Sequence, residues 1–297
     1  MSEAVAAPPA GSPWTVLHMV KWSSAYLGPK GVDSPRLTAE LLLAHVLGVK
    51  RLELYLQFDR PLTPSELAAY KPLLQRRAAR EPLQYVTGTA SFRELELRCD
   101  PRALIPRPET EGLLDALATE AGTNGAVGRA LDVGTGTGAL ALSLAHERMA
   151  EDVVGVDLSR DALALAEENG RSAGLAGRVD WRQGDLFEPV LGETFDWIVS
   201  NPPYVAEPDL SATEPEVREW EPRLALDGGA DGLDVVRRLA DGAGAMLAPG
   251  GWLALEVGWD QTGPVCQRLI DGGEYGHVVA REDLAGRPRY VLARKTE

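Results

Sequence analysis

The sequence predicts an α/β protein in which a small helical domain precedes a doubly wound parallel sheet. Apolar residues recur at helical spacing from residue 14 to about residue 80. From residue 129 onward, short strand-like runs alternate with helical stretches, a pattern typical of parallel sheets covered by helices. The chain has 297 residues, 44% of them hydrophobic, which is enough for two domains with buried cores.

The predicted divisions are a flexible tail at 1–13, a helical domain at 14–80, a β-hairpin linker at 81–101 and the sheet domain at 102–297. In the helical domain, one helix is expected to begin after Ser34 and to end at Gly48. A capping box of Thr63 and Glu66 should start another helix, which Pro72 is expected to kink or divide.

Alternating apolar and polar residues predict the hairpin. Leu95, Leu97 and Cys99 alternate with charged residues, after a turn signal at Thr87-Gly88. In the sheet domain, the predicted strands are 130–133, 153–156, 195–200 and 252–257, and the first two helices are 139–150 and 161–173.

The charge balance argues against direct nucleic-acid binding. Lys and Arg number 30 and Asp and Glu 44, for a net charge of −14, whereas a grip on a phosphate backbone needs the opposite sign. Residues 1–85 carry 10 basic and 7 acidic side chains, while residues 86–297 carry 20 and 37. The first part is therefore the better surface for an acidic partner, although a solvated helix face explains the same charges.

The numbers and spacing of the cysteines and histidines argue against a disulfide-stabilised protein and against a metal-binding protein. The two cysteines are far apart in sequence, so no disulfide framework or thiolate cluster is expected. The four histidines lack metal-ligand spacing, and no metal is predicted. Without a signal peptide or a membrane-spanning segment, the chain is expected to be a cytoplasmic protein that does not bind membranes.

A glycine-rich turn joins a predicted strand to a predicted helix. It consists of Gly134, Thr135, Gly136, Thr137 and Gly138. Glycines suit a sharp turn that a ligand approaches closely, and Asp157, after the next strand, is placed to accept hydrogen bonds from a ribose. The turn also satisfies the glycine pattern of nicotinamide enzymes, and it could be a turn without a ligand. Asp185 is either a turn former or the acceptor for an adenine amino group.

Asn201, Pro202, Pro203 and Tyr204 follow the predicted strand at 195–200. A structural turn explains the prolines but not the flanking asparagine and tyrosine. The Asn201 side-chain oxygen and the Pro202 carbonyl can accept both N–H bonds of a planar nitrogen, and Tyr204 can lie against the planar group. This arrangement would aim the nitrogen lone pair at an electrophilic methyl group.

These motifs, in this order, resemble S-adenosylmethionine-dependent methyltransferases with an NPPY motif. The chain most resembles the HemK/PrmC family, protein-(glutamine-N5) methyltransferases that modify peptide chain release factors. The resemblance is carried by Glu81–Gly88, Leu104–Glu111, the glycine turn and Asn201–Tyr204. It implies a Rossmann-like methyltransferase sheet, S-adenosylmethionine as methyl donor, S-adenosylhomocysteine as product and a release-factor Gly-Gly-Gln glutamine as acceptor.

The resemblance also implies a role for each motif. The glycine turn would wrap the methionine part of the cofactor, Asp157 would hold the ribose, and Asp185 and Leu186 would flank the adenine. Many members differ at the position of Leu186, so apolar packing is expected there rather than stacking. Asn201, Pro202, Pro203 and Tyr204 would hold the glutamine, with Asn201, Pro202 and Tyr204 as the catalytic residues and Asn201 also bordering the cofactor.

Other matching segments receive no catalytic role. Ile105 and Arg107 would lie near the cofactor or act only as a linker, and Glu221, Glu256 and Gln261 are interpreted as framework. The expected protein is a monomeric enzyme whose helical domain recognises a release factor. The alternatives are an adenine N6-methyltransferase acting on nucleic acid, because the same motif can orient that amine, and a cofactor-binding scaffold without turnover. A nicotinamide dehydrogenase would leave Asn201–Tyr204 unexplained.

Overall fold

The computed structural model describes residues 13–122 and 125–297. Apart from Pro13, the predicted tail lies outside the described residues. The chain forms two units. The first contains the described residues up to Gly88 together with Pro215–Trp220, and the second contains Thr89–Glu214, without the two undescribed residues, and Glu221–Glu297.

The described residues contain eleven α-helices: α1 (Val16–Leu27), α2 (Pro35–Leu47), α3 (Arg51–Tyr55), α4 (Pro64–Ala78), α5 (Leu83–Thr87), α6 (Pro108–Ala121), α7 (Ala139–His146), α8 (Arg160–Ser172), α9 (Pro215–Trp220), α10 (Asp234–Met246) and α11 (Thr262–Gly272). The same residues contain nine strands: β1 (Thr89–Phe92), β2 (Leu95–Arg98), β3 (Val127–Val133), β4 (Ala150–Asp157), β5 (Val179–Gln183), β6 (Phe195–Ser200), β7 (Leu247–Glu256), β8 (Tyr275–Glu282) and β9 (Pro288–Lys295). None of these helices is long and apolar enough to cross a membrane.

The first unit is helical, and its helix ends follow the sequence signals. Helix α2 begins directly after Ser34, and Gly48 ends it in the left-handed conformation, with φ of 63°. Thr63 and Glu66 form the expected reciprocal capping box at the start of α4. These local signals need only neighbouring residues, which is why the sequence predicts them well.

Helix α4 continues through Pro72, so the proline does not divide it. Tyr70 and Leu74 lie on either side of the proline and are 1% and 4% exposed. Their burial in the core of the first unit offsets the hydrogen bond that proline cannot make.

The short helix α9 packs in the first unit, although it follows Tyr204 in the chain. Glu216 accepts hydrogen bonds from Arg77 Nη2 at 2.8 Å and from Arg80 Nε at 2.6 Å. The Arg77 side chain is 7% exposed, so this pairing is largely removed from solvent. No local sequence signal predicts this pairing.

The second unit contains a seven-stranded sheet in the order β5-β4-β3-β6-β7-β9-β8. Strands β3 to β7 are parallel, and β8 and β9 pair in an antiparallel manner at one edge. Successive residues of a strand lie on opposite faces of the sheet and belong to two different buried clusters. One cluster joins the sheet to α10 and α11, and the other joins it to α6 and α7. This confirms the predicted doubly wound α/β fold.

The hairpin consists of β1 and β2, with Phe92 paired to Leu95. Residues 83–87 form α5 instead, and Gly88 caps that helix with φ of 80°. The glycine signal at residue 88 therefore ends a helix, and the hairpin turn lies at residues 93–94. Phe92 and Leu97 are fully buried in the second unit, so the hairpin packs as part of that unit.

Candidate functional site

The candidate site lies at the carboxyl ends of the parallel strands. Strand β3 has β4 on one side and β6 on the other, so the chain reverses its direction of winding between β3 and β6. Open α/β sheets bind ligands at such a position. The Ser200 hydroxyl donates to the Val133 carbonyl at 2.6 Å, which joins the ends of β6 and β3. A cavity of about 350 Å³ opens here, a volume typical of small-molecule sites.

Most of the predicted site residues meet at this cavity. Its lining includes Gly134, Thr135, Gly136, Thr137, Asp157, Asp185, Leu186, Asn201, Pro202 and Pro203. Gly138 and Tyr204 are not part of the lining. The lining also includes Ile105 and Arg107, whose position the sequence left open.

The glycine turn has the tight backbone that its composition predicts. Gly134 has φ of 74°, and a Cβ added there would have no neighbour within 4 Å. The backbone beside the cavity is thus open at this residue. Gly138 has another role, because a Cβ there would approach the Trp181 ring to 3.0 Å. It permits the close packing of helix α7 rather than lining the cavity.

Asp157 supports the glycine turn and also faces the cavity. Its Oδ2 atom accepts from the Gly136 backbone N–H and its Oδ1 atom from that of Ser159, both at 2.8 Å. Burial raises the pKa of this carboxyl, and the backbone N–H groups of Ser159, Gly136 and Leu158 oppose the shift. A carboxylate has about four acceptor positions, so Asp157 can accept two more hydrogen bonds from a ligand.

Asp132 is the other buried carboxyl of the turn. Its Oδ2 atom accepts from the Thr135 hydroxyl at 2.6 Å and from the Ala141 backbone at 3.1 Å. The Oδ1 atom is buried without a hydrogen-bond partner in the described residues. Burial raises the pKa of Asp132 to about 7. The described residues contain no group of three or more His, Cys, Asp or Glu side chains that could hold a metal ion.

Asp185 and Leu186 lie at another part of the lining. Asp185 Oδ2 accepts from Arg238 Nη2 at 2.7 Å beside the cavity. Leu186 has φ of 50°, which is uncommon for a residue with a side chain. Its side chain packs against the buried cluster next to α10, in agreement with apolar packing at this position.

A buried glutamate holds the segment that contains Ile105 and Arg107. Glu221 Oε2 accepts from the Ile105 backbone at 3.1 Å, and its Oε1 atom pairs with the Arg107 guanidinium. The Glu221 side chain is 1% exposed. Breaking this pair would leave a buried charge without compensation, which is costly. The segment is therefore fixed against the cavity, and Glu221 serves as framework.

Asn201 and Tyr204 each contact a buried residue outside their own motif. Asn201 Nδ2 donates to the Thr110 hydroxyl at 2.9 Å. The Tyr204 hydroxyl donates to Glu256 Oε1 at 3.4 Å, and burial raises the pKa of Tyr204 to about 12. The Tyr204 backbone oxygen accepts from Gln261 Nε2 at 3.0 Å. One N–H of the Asn201 amide is thus used by Thr110, and the side-chain oxygen is left to accept from other groups.

Sequence reasoning gave no role to Thr110 and treated Glu221 and Glu256 as framework. Thr110 lies in the first turn of α6, and Glu256 ends β7. Each lies far along the chain from the residue that it contacts. The available signal for Glu256 was an acidic residue within the predicted strand 252–257, because a charged residue that a strand buries needs a partner.

Comparisons with known proteins identify relatives along most of the chain. The PrmC N-terminal domain family matches residues 18–88, and the methyltransferase small domain family matches residues 108–219. The release factor glutamine methyltransferase of Geobacter sulfurreducens is 47% identical over 249 residues, covering 84% of this chain and 86% of that protein. The proteins of the same name from Moorella thermoacetica and Deinococcus radiodurans are 42% and 44% identical, covering 91% and 92% of this chain and 95% and 96% of theirs.

Solved structures agree with the fold. The hMettl16 catalytic domain in complex with MAT2A 3'UTR hairpin 6 has a TM-score of 0.56 at 16% identity, covering 75% of this chain and 81% of that chain. The N-terminal domain of human METTL16 in complex with SAH has a TM-score of 0.52 at 17% identity, covering 68% and 76%. These likenesses concern the fold alone. On the identity and coverage of its bacterial relatives, the chain belongs to the release factor glutamine methyltransferase family.

Proposed function

We propose that this chain transfers a methyl group from S-adenosylmethionine to the side-chain amide nitrogen, N5, of the glutamine in the Gly-Gly-Gln motif of peptide chain release factors. One observation carries the proposal. A single cavity is lined both by the glycine turn with Asp157 and by Asn201 with Pro202. A cofactor site and an acceptor site built on these residues would therefore share one space, as group transfer requires.

The cavity residues fit an adenosine-containing methyl donor. Asp157 retains acceptor capacity for two ribose hydroxyls, and the open backbone at Gly134 permits close approach. Asp185 would accept from the adenine amino group and Leu186 would pack against the ring. When bound, S-adenosylmethionine supplies an electrophilic methyl group on a sulfonium sulfur. The product would be S-adenosylhomocysteine.

Asn201 and Pro202 would orient the glutamine amide. An amide nitrogen is a poor nucleophile because its lone pair is delocalised into the carbonyl. Asn201 Oδ1 and the Pro202 carbonyl would accept its two N–H bonds and direct the lone pair at the methyl carbon. In such a transfer the nitrogen would form the N–C bond as the S–C bond of the sulfonium breaks, and it would then lose one proton to solvent. Positioning is thus the main contribution of the enzyme.

Pro203 and Tyr204 would complete the acceptor site. Pro203 lines the cavity and has a fixed φ, so it limits the positions open to the glutamine side chain. The Tyr204 ring is not part of the cavity lining, and we propose that it comes to lie against the planar amide when the glutamine binds. Its hydroxyl is held by Glu256, and its raised pKa keeps the phenol neutral at ordinary pH.

We further propose that the helical residues 14–80 recognise the surface of the release factor. Residues 1–85 carry a small excess of positive charge, which suits an acidic patch on such a partner. The enzyme would act as a monomer, without membrane or direct nucleic-acid binding. Because the proposed substrate is a translation factor, the proposed site of action is the cytoplasm.

The test replaces Asn201 by Ala and measures both methyl transfer and cofactor binding. Transfer to a release factor should fall below detection, while the Kd for S-adenosylhomocysteine should change by less than about threefold, because the cofactor has other contacts. Gln267→Ala, an exposed change on α11, is the matched control and should retain full activity. Undiminished transfer by Asn201→Ala would refute the assigned role.

A further inference from the structure

The orientation of the Asn201 side-chain amide depends on more than its contact with Thr110. The Asn201 Nδ2 atom donates to Thr110 Oγ1 at 2.9 Å, and Thr110 is 4% exposed. A threonine hydroxyl can both accept and donate. If it donated instead, the amide would rotate by half a turn and present N–H groups to the substrate. The hydroxyl alone therefore does not select the active orientation.

Glu256 is the group that can make this selection. Glu256 is 1% exposed, and its Oε1 atom accepts from the Tyr204 hydroxyl at 3.4 Å. The other oxygen, Oε2, is buried without a hydrogen-bond partner in the described residues. Leaving a buried acceptor without a partner costs about 1–3 kcal/mol. Burial raises the pKa of this carboxyl and the Thr110 hydroxyl opposes the shift, which identifies Thr110 as the candidate donor for Oε2.

We propose that Glu256 is a positioning residue for the methyl-acceptor site. Glu256 would accept a hydrogen bond from the Thr110 hydroxyl. Thr110 then acts as the acceptor for Asn201 Nδ2, and Asn201 Oδ1 is left to face the substrate amide. By accepting a hydrogen bond from the Tyr204 hydroxyl, Glu256 would also fix the ring that is proposed to contact that amide. This inference rests on the proposed function, in which Asn201 Oδ1 accepts from the glutamine. Hydrogen bonds of this kind are often long before substrate binds and tighten in the complex.

The relay requires an ionised Glu256. A protonated carboxyl would donate to Thr110, and Thr110 would then donate to Asn201 Oδ1, which reverses the amide. Burial raises the pKa of Glu256 above its usual range. We therefore expect activity to be lost as pH falls through this raised pKa.

Charged and titratable groups from several elements act on Glu256. Arg289 on β9 lowers its pKa, and Glu109 at the start of α6 raises it. The Tyr204 hydroxyl lowers it through a hydrogen bond, and Tyr290 on β9 is itself affected by the Glu256 charge. The pH dependence of kcat is therefore compared between the parent chain and Glu256→Gln, rather than interpreted from the parent chain alone.

The test compares Glu256→Gln, Thr110→Val and Thr110→Ser with the parent chain at saturating S-adenosylmethionine. Glu256→Gln and Thr110→Val should lower kcat by about tenfold to a hundredfold, because a misdirected group costs about that much. The Kd for S-adenosylhomocysteine should remain within about twofold in both, since Glu256 is not part of the cavity lining and Thr110, which is, contacts Asn201 of the proposed acceptor site. Thr110→Ser keeps the hydroxyl and should restore most of the activity.

Two further measurements separate positioning from a structural role. The acidic limb of the parent kcat profile should disappear in Glu256→Gln. In isotope-labelled protein, the Asn201 side-chain amide resonances should shift in Glu256→Gln and Thr110→Val but not in the control Glu282→Gln on β8. Unchanged kcat and unchanged resonances would overturn the inference, as would equal impairment in Thr110→Ser and Thr110→Val.

The failure of this inference is distinguishable from failure of the proposed function. If the parent chain does not methylate a release factor, the proposed function fails, whereas the resonance shifts still test the orientation of Asn201. If the parent chain is active and Glu256→Gln is equally active with the same pH profile, only the positioning role is refuted.

Discussion

Replacing Asp157 by Ala should weaken S-adenosylhomocysteine binding by about a hundredfold. Two of the roughly four acceptor positions of the carboxylate are used by the Gly136 and Ser159 backbone N–H groups, which leaves two for the ribose hydroxyls. A hydrogen bond to a charged group contributes about 1.5–3 kcal/mol, so two give about 3–6 kcal/mol, or about two to four orders of magnitude in Kd. In Asp157→Ala, water can enter the space left by the carboxylate, so we expect the change in Kd to lie at the lower end of this range.

Isothermal titration with S-adenosylhomocysteine measures this Kd directly, without turnover. The matched control is Asp180→Ala, which removes a largely exposed carboxylate from β5 outside the cavity lining. The control should bind as tightly as the parent chain. A Kd for Asp157→Ala within threefold of the parent, with the protein folded, would refute the assignment of Asp157 to the ribose.

Three other changes test the glycine turn and its surroundings. Gly134→Ala forces a side chain into a backbone with φ of 74° beside the cavity, and we expect a loss of about 1 kcal/mol in unfolding free energy and weaker cofactor binding by titration. Gly155→Ala would place a Cβ 2.5 Å from the Trp181 ring and should cost about 1–3 kcal/mol in denaturant unfolding; an unchanged midpoint would contradict this packing. The pKa of Asp132 is raised to about 7 in the folded state. Between about pH 4 and 7, folded Asp132 therefore holds a proton that it releases when the chain unfolds. The parent chain should thus lose stability relative to Asp132→Asn as pH rises through that window, by about 4 kcal/mol at most, and a pH-independent difference would contradict the raised pKa.

Local signals allowed much of the fold to be predicted from the sequence. The strand 195–200 was predicted at the bounds observed for β6, because an apolar run ends at a motif that breaks the strand. The capping box of α4 was confirmed for the same reason. Strands β8 and β9 were not predicted. Strand β8 lies at the sheet edge with mostly exposed residues, so it lacks the regular alternation that identifies a strand.

The candidate site could be predicted only where its residues lie within one motif. Gly134–Thr137 of the glycine turn and Asn201–Pro203 were predicted from their own sequence and line one cavity. The contacts of Asn201 with Thr110 and of Tyr204 with Glu256 depend on how distant segments pack. Sequence spacing carries no information on such pairs, and a glutamate in a β-strand does not reveal its buried partner.

The most direct test of the account is methyl transfer from labelled S-adenosylmethionine to a purified release factor. The same reaction is run with the factor in which the glutamine of the Gly-Gly-Gln motif is replaced by alanine, and with duplex DNA. The account predicts label on the unaltered factor alone, with fragmentation placing one methyl group on the glutamine side chain. Label on the DNA or on the altered factor, or no label on the unaltered factor although the cofactor binds, would contradict the proposed acceptor.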